Sequence, residues 1–177
     1  MTITPETKDW TWVLEQACPQ CGYDARAIPA TDVARRLREQ VPVWTEALSS
    51  PPARTRPNPS TWSPLEYACH VRDVCTRFDE RVHLMVTEDN PQFPNWDQDA
   101  TAIEDGYDKQ EPLAVAAELA SAAETMAATF DAVARDQWSR EGRRSDGAVF
   151  TVETLARYFL HDIVHHGWDV TAGSTST

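Results

Sequence analysis

The strongest local constraint in the chain is the stretch Ser63-Pro64-Leu65-Glu66. Ser63 is a good helix N-cap, and Pro64 suits the first helical position because the N–H it lacks would have no partner there. Glu66 stands three residues after Ser63, where its side chain can close a capping box. Beyond it Leu65, Ala68, Val71, Cys75, Phe78, Val82 and Met85 recur at spacings of three and four. The pattern predicts a helix to about Val86 with one apolar stripe. Such a helix has to bury that stripe against partners.

The rest of the chain supplies them. Val33, Leu37, Val41, Trp44 and Leu48 predict a first helix from about Val33 to Leu48, capped by Thr31 or Asp32, with Pro42 expected to bend or interrupt it. An alanine-rich third helix is expected from Pro112 to about Val133, and a fourth from about Thr151 to Val170. "SSPPARTRPNPSTW" is too rich in proline for regular structure and forms the first connection. "TEDNPQFPNWDQDATAIEDGYDKQEP" is a long acidic connection in which "DQDATAIEDGY" has the pattern of a short helix. "RDQWSREGRRSDGAVF" reads as a loop, and no strand pair is expected after residue 30. The expected fold class is all-α, a four-helix bundle with long connections over residues 31–172. Residues 1–30, with "DWTWVLEQACPQCGYD", read as an extended arm or short hairpin, and residues 173–177 as a flexible tail.

Composition narrows the function. The 177 residues suffice for one domain with a substantial core, and 41% hydrophobic with 25% charged residues is ordinary for a globular chain. A formal charge of −12 repels phosphate backbones and excludes general nucleic-acid binding. The basic clusters "ARRLRE" and "SREGRRSDG" read as a solvated helix face and a loop. No run approaches about 18 apolar residues and no basic-then-apolar leader is visible, so a cytoplasmic protein without membrane contact is expected. In that setting Cys18, Cys21, Cys69 and Cys75 are thiols or ligands and not disulfides. Cys18-Pro19-Gln20-Cys21-Gly22 has the spacing of half a zinc ribbon, for which two further ligands are required; a redox pair or a plain turn are the other readings.

Three of the five histidines fall in "LHDIVHH". His161 and His165, four apart, share one side of a helix, as a ligand pair must; a solvated pair would look the same. His166 lies roughly 100° further round, within the apolar stripe of Val152, Leu155, Phe159 and Ile163, and suits a packing role. His161 and His165 are expected on the far side, near Arg157 and Tyr158. A third ligand has to come from elsewhere, and His70 on the flank of the second helix completes a three-histidine set if the second and fourth helices are neighbours. His83 reads as a surface residue. Asp73 and Asp169, three after His70 and four after His165, are the carboxylates expected to orient the imidazoles. Trp96 and Asp97 of "FPNWDQD" are expected at the wall of the cleft.

The pattern "WSPLEYACH" opening the second helix, with "HDIVHH" on the last, resembles the DinB-like superfamily of four-helix bundles. The resemblance spans about residues 31–172. It implies a bundle with a long crossover connection, and a divalent ion held beside an open cleft by a histidine of the second helix and an HxxxH, or ExxxH, of the last. Carried over, the ligands are His70, His161 and His165 and the ion is zinc or nickel. The branch that includes the mycothiol-dependent maleylpyruvate isomerase implies a metal-dependent S-transferase, in which a mycothiol- or bacillithiol-like thiol attacks a small electrophile, and a homodimer. This chain departs from the isomerase in having histidine at position 161, where that enzyme has an acidic ligand, and in the added "CPQCG" arm. A metal- or small-ligand-binding stress-related protein without turnover is the alternative.

Overall fold

The computed structural model describes residues 9–173. Its α-helices are α1 (Val33–Ser49), α2 (Pro64–Thr87), α3 (Gln98–Glu104), α4 (Pro112–Ala132) and α5 (Val152–Gly173). Short 3-10 turns and three strands, β1 (Gln92–Phe93), β2 (Glu141–Arg144) and β3 (Val149–Thr151), complete the fold. The expected tail after Gly173 lies outside the described residues.

Local chemistry sets the helix limits. The Ser63 hydroxyl accepts from the Glu66 amide while the Glu66 carboxylate accepts from the Ser63 amide, so the capping box at the start of α2 is complete. At α5 the Thr151 hydroxyl accepts from the Thr154 amide, and the Thr154 hydroxyl takes the Thr151 amide in return. Pro42 does not interrupt α1, which runs through it as one helix. Its side chain is exposed, so the ring takes no room from the core packing of α1.

The main helix contacts are those of α1 and α2 with α4 and with α5. In space the bundle therefore alternates α1, α4, α2, α5, and α1 and α2, consecutive in sequence, sit largely across from each other. Leu37, Trp44, Leu65, Val74, Phe78, Leu119, Met126, Leu155, Phe159 and Ile163 are among the buried side chains at its centre. By length and composition α4 is apolar enough to cross a membrane. Here it gives Val115, Leu119, Ala123, Met126 and Phe130 to the core.

The small sheet is a difference from the sequence reading. β1 pairs parallel with β2, and β2 antiparallel with β3. The β2–β3 hairpin turns at Asp146-Gly147, where Gly147 has φ +99. At Gly142 a Cβ would come within 2.7 Å of the Met85 side chain, so glycine lets β2 lie against the end of α2.

Among its described residues the arm holds no strand. It runs as 3-10 turns at Thr11–Leu14 and Ala25–Ala27 around a tight turn at Cys18–Tyr23, with Gly22 at φ +73. It lies along α5: the Tyr23 hydroxyl donates to the Arg157 carbonyl at 2.8 Å, and Arg157 Nε to the Ile28 carbonyl at 2.8 Å.

Candidate metal centre

On α5 the sequence His161-Asp162-Ile163-Val164-His165-His166 holds two i,i+4 pairs offset by one residue. His161 with His165 points one way, and Asp162 with His166 roughly 100° further round the helix. The bundle gives the two pairs different neighbours.

Asp162 and His166 face α2. With His70 they place one donor atom each within 4.8 Å of one another. His70 Nε2 lies 3.4 Å from Asp162 Oδ1, and His166 Nε2 lies 3.7 Å from the same oxygen. His70 is 1% exposed, yet neither of its ring nitrogens has a hydrogen-bond partner, and Asp162 Oδ1 is buried without one too. Each buried polar atom left so costs about 1–3 kcal/mol unless something polar reaches it. A divalent ion among the three residues would satisfy His70 Nε2 and Asp162 Oδ1, so the donor set fits a metal. Asp169 Oδ2 lies 3.0 Å from His166 Nδ1. With the proton assigned to Nδ1, the imidazole donates to Asp169 and keeps Nε2 turned toward Asp162.

The protonation states suit ligation. Burial holds the His70 pKa below its usual value, against the opposing pull of Asp162, so its ring is neutral at neutral pH. Burial pushes the Asp162 carboxyl up, but His166 and His70 facing it outweigh that and bring it down to about 2. Neutral imidazole and ionised carboxylate are the ligand forms.

Aromatic rings line the site. Trp96 stacks on His70 with centroids 5.2 Å apart and planes 8° apart, and its indole N–H donates to Thr101 Oγ1. Trp62 stands 5.4 Å from His70, and Tyr67 5.0 Å from His166. Behind Trp96 the Arg77 guanidinium lies 4.5 Å from the indole centroid.

The three-histidine set expected from sequence is split. His161 and His165 are buried, at 4% and 7% exposure, and do not project into solvent. The arm covers them: Cys18 Sγ is 3.7 Å from His165 Nδ1, Trp10 is 5.6 Å from His161 and 5.2 Å from His165, and Tyr23 is 5.6 Å from His161. They gather with Cys18 and Cys21. His166 is half-buried between Tyr67 and His70, not packed in the core stripe. Asp169 does hold an imidazole, that of His166; its approach to His165 is longer, at 3.9 Å. Asp73 binds Arg72 and the Tyr107 hydroxyl and does not hold His70. Trp96 stacks on His70, whereas Asp97 is exposed and caps α3 through the Ala100 amide. His83 is exposed and bonds the Asp79 carbonyl of its own helix. The residue missed by sequence reasoning is Asp162. Its DxxxH spacing to His166 carries the same signal as HxxxH.

Residues 33–170 match the family model of the DinB superfamily. The chain is also similar in structure to YfiT from Bacillus subtilis, described as "a probable metal-dependent hydrolase with an unusual four-helix bundle topology". The TM-score is 0.61 at 18% identity, over 97% of this chain and 93% of that one, a likeness of fold. No curated protein matches the chain.

Proposed function

For this chain, which belongs to the DinB superfamily, we propose that His70, Asp162 and His166 hold a divalent ion and that the protein is a metal-dependent transferase, in which a low-molecular-weight thiol attacks a small electrophile. The observation that carries this reading is the pair of buried, unpartnered donor atoms that face each other, His70 Nε2 and Asp162 Oδ1. When bound, the ion supplies Lewis acidity, which lowers a thiol pKa so that thiolate, the nucleophilic form, is present at neutral pH.

The chain's own residues do the rest. His70 and His166 offer neutral nitrogens and Asp162 one negative charge, which leaves a 2+ ion with net positive charge and fewer than four protein donors. An anionic nucleophile is what such a site attracts. Asp169 fixes the His166 ring. Trp96, Trp62 and Tyr67 exclude water and offer flat apolar surface to an electrophile. Imidazole and carboxylate donors suit zinc, nickel and iron. Mycothiol and bacillithiol are the thiols that the family branch suggests.

Asp162 also favours a second reading, hydrolysis, because two histidines and a carboxylate are a donor set of hydrolytic zinc enzymes. One experiment separates them. The protein is stripped of metal, reloaded with zinc or nickel, and assayed for loss of a cysteine-based thiol with an epoxide or haloaromatic compound, and in parallel for ester hydrolysis. The expected result is ion-dependent thiol consumption that Asp162→Asn removes together with one bound ion. Ester turnover without thiol loss supports hydrolysis, and neither activity in the loaded protein leaves a binding protein and overturns the transferase.

A further inference from the structure

The second cluster on α5 lies outside the cleft, and the structure assigns it a chemistry of its own. Cys18, Cys21, His161 and His165 place one donor atom each within 4.8 Å of one another. We propose that these four residues form a closed tetrahedral site for a thiophilic divalent ion of the zinc class, which fastens the N-terminal arm to the last helix.

Several observations converge on it. The donor set is two sulfurs and two imidazoles, the composition of structural zinc sites. The Cys18 Sγ to His165 Nδ1 separation is 3.7 Å. Zinc–sulfur and zinc–nitrogen bonds of about 2.3 and 2.1 Å at a tetrahedral angle require an edge of roughly 3.6 Å. Cys18 and Cys21 are free thiols on a turn built as a metal knuckle: the Gly22 amide donates to the Cys18 carbonyl at 3.0 Å, and Gly22 takes φ +73, which a residue with a side chain rarely adopts. The Cys18 amide donates to the Tyr23 carbonyl at 2.8 Å and closes the turn. On the helix side, His161 is 4% exposed and its Nε2 is buried with no hydrogen-bond partner.

Charge agrees with geometry. On binding, each thiol gives up its proton to solvent, and two thiolates with one 2+ ion sum to zero. A neutral, fully ligated centre tolerates burial, and four protein donors leave no position for a substrate. The site is therefore structural. It spans 147 residues of sequence between Cys18 and His165, so an ion there adds to the Tyr23–Arg157 and Arg157–Ile28 hydrogen bonds that already hold the arm on α5.

This inference stands apart from the reading of the cleft, and cobalt(II) tests the two separately. The reduced, metal-free full-length protein is titrated with cobalt(II). The expected result is two ions per chain, with a thiolate-to-cobalt charge-transfer band and tetrahedral d–d absorption. Cys21→Ser should lose the band and one ion. Asp162→Asn should keep the band and lose the other ion. A wild-type protein that binds a single ion with the band sinks the cleft reading and leaves this one standing. Absence of the thiolate band, or a band unchanged in Cys21→Ser, overturns it. A variant-free measurement guards against misfolding: in zinc-loaded wild-type protein Cys18 and Cys21 should resist alkylation until a chelator is added. Equal reactivity with and without chelator, or recovery of a Cys18–Cys21 disulfide from the zinc-loaded protein, overturns the site as well.

Discussion

The arm face and the cleft face of α5 use the same helical spacing for different ends. His161 and His165 meet two sulfurs from a turn that folds over them, which gives four donors and charge neutrality. Asp162 and His166 meet one imidazole from α2, which gives three donors, a single negative charge and walls of aromatic ring instead of further ligands. Spacing of four residues decides which side chains share a face. It does not decide what that face becomes, which depends on the element laid against it. An arm of 3-10 turns closes over one pair of donors, and a neighbouring helix leaves the other pair with fewer.

A third face of α5 is the control. Phe159 is fully buried, with ring centroids 5.3 Å from Phe78 on α2 and 5.6 Å from Phe130 on α4. Phe159→Ala should cost about 3–5 kcal/mol of stability, the usual range for a large buried aromatic. Urea unfolding measures it. In conditions where the variant stays folded, both ions should bind at wild-type stoichiometry. Selective loss of one ion would mean that the faces are not separable, and the comparison would break.

Asp169 is where the two faces come closest. Its Oδ2 is 3.0 Å from His166 Nδ1 and 3.9 Å from His165 Nε2, so one carboxylate stands between a cleft imidazole and an arm imidazole. Asp169→Asn keeps the size but replaces an acceptor with a group that also donates, which frees the His166 ring to change tautomer. Carboxylates behind metal-bound histidines are worth about 10–100-fold in ion affinity. A loss in that range is expected at the cleft, and a smaller one at the arm site, where the contact is longer. Competition with a chromophoric chelator reads both. Equal losses would show that Asp169 couples the sites as one unit.

Much of the bundle was legible because its signals are local. The capping box at Ser63, the apolar periodicities and the proline-rich connection each act within a few residues of where they are read. The sheet was not, since its strands are two to four residues long and β2 reads Glu-Gly-Arg-Arg, although Asp146-Gly147 is a hairpin signal by its chemistry. The site was half legible. His70 and the last helix were found, but only histidines were counted there, so Asp162 went unseen beside them. The grouping of His161 and His165 with His70 missed their actual neighbours for a different reason. Nothing in helical periodicity reports that the arm returns to cover them, because that contact is among the most distant in the chain.

The smallest effect is expected at the cap of α2, one turn before His70. Glu66 is 3% exposed and accepts from the Ser63 amide and hydroxyl and from Arg56. Burial pushes its carboxyl up, but Arg56 and Ser63 outweigh that and hold it below the usual carboxylate range. With the folded pKa below the unfolded one, its contribution is fully present above the unfolded value of 4.5 and is lost as pH falls through the folded value. Glu66→Gln should therefore cost about 1–2 kcal/mol near neutral pH, and its deficit against wild type should shrink as the pH drops below that of the unfolded carboxyl. Denaturation at a series of pH values tests the sign, since a deficit that grows in acid would contradict it. Because the cap positions α2 and not the arm, Glu66→Gln should loosen the cleft ion slightly and leave the thiolate-to-cobalt band unchanged.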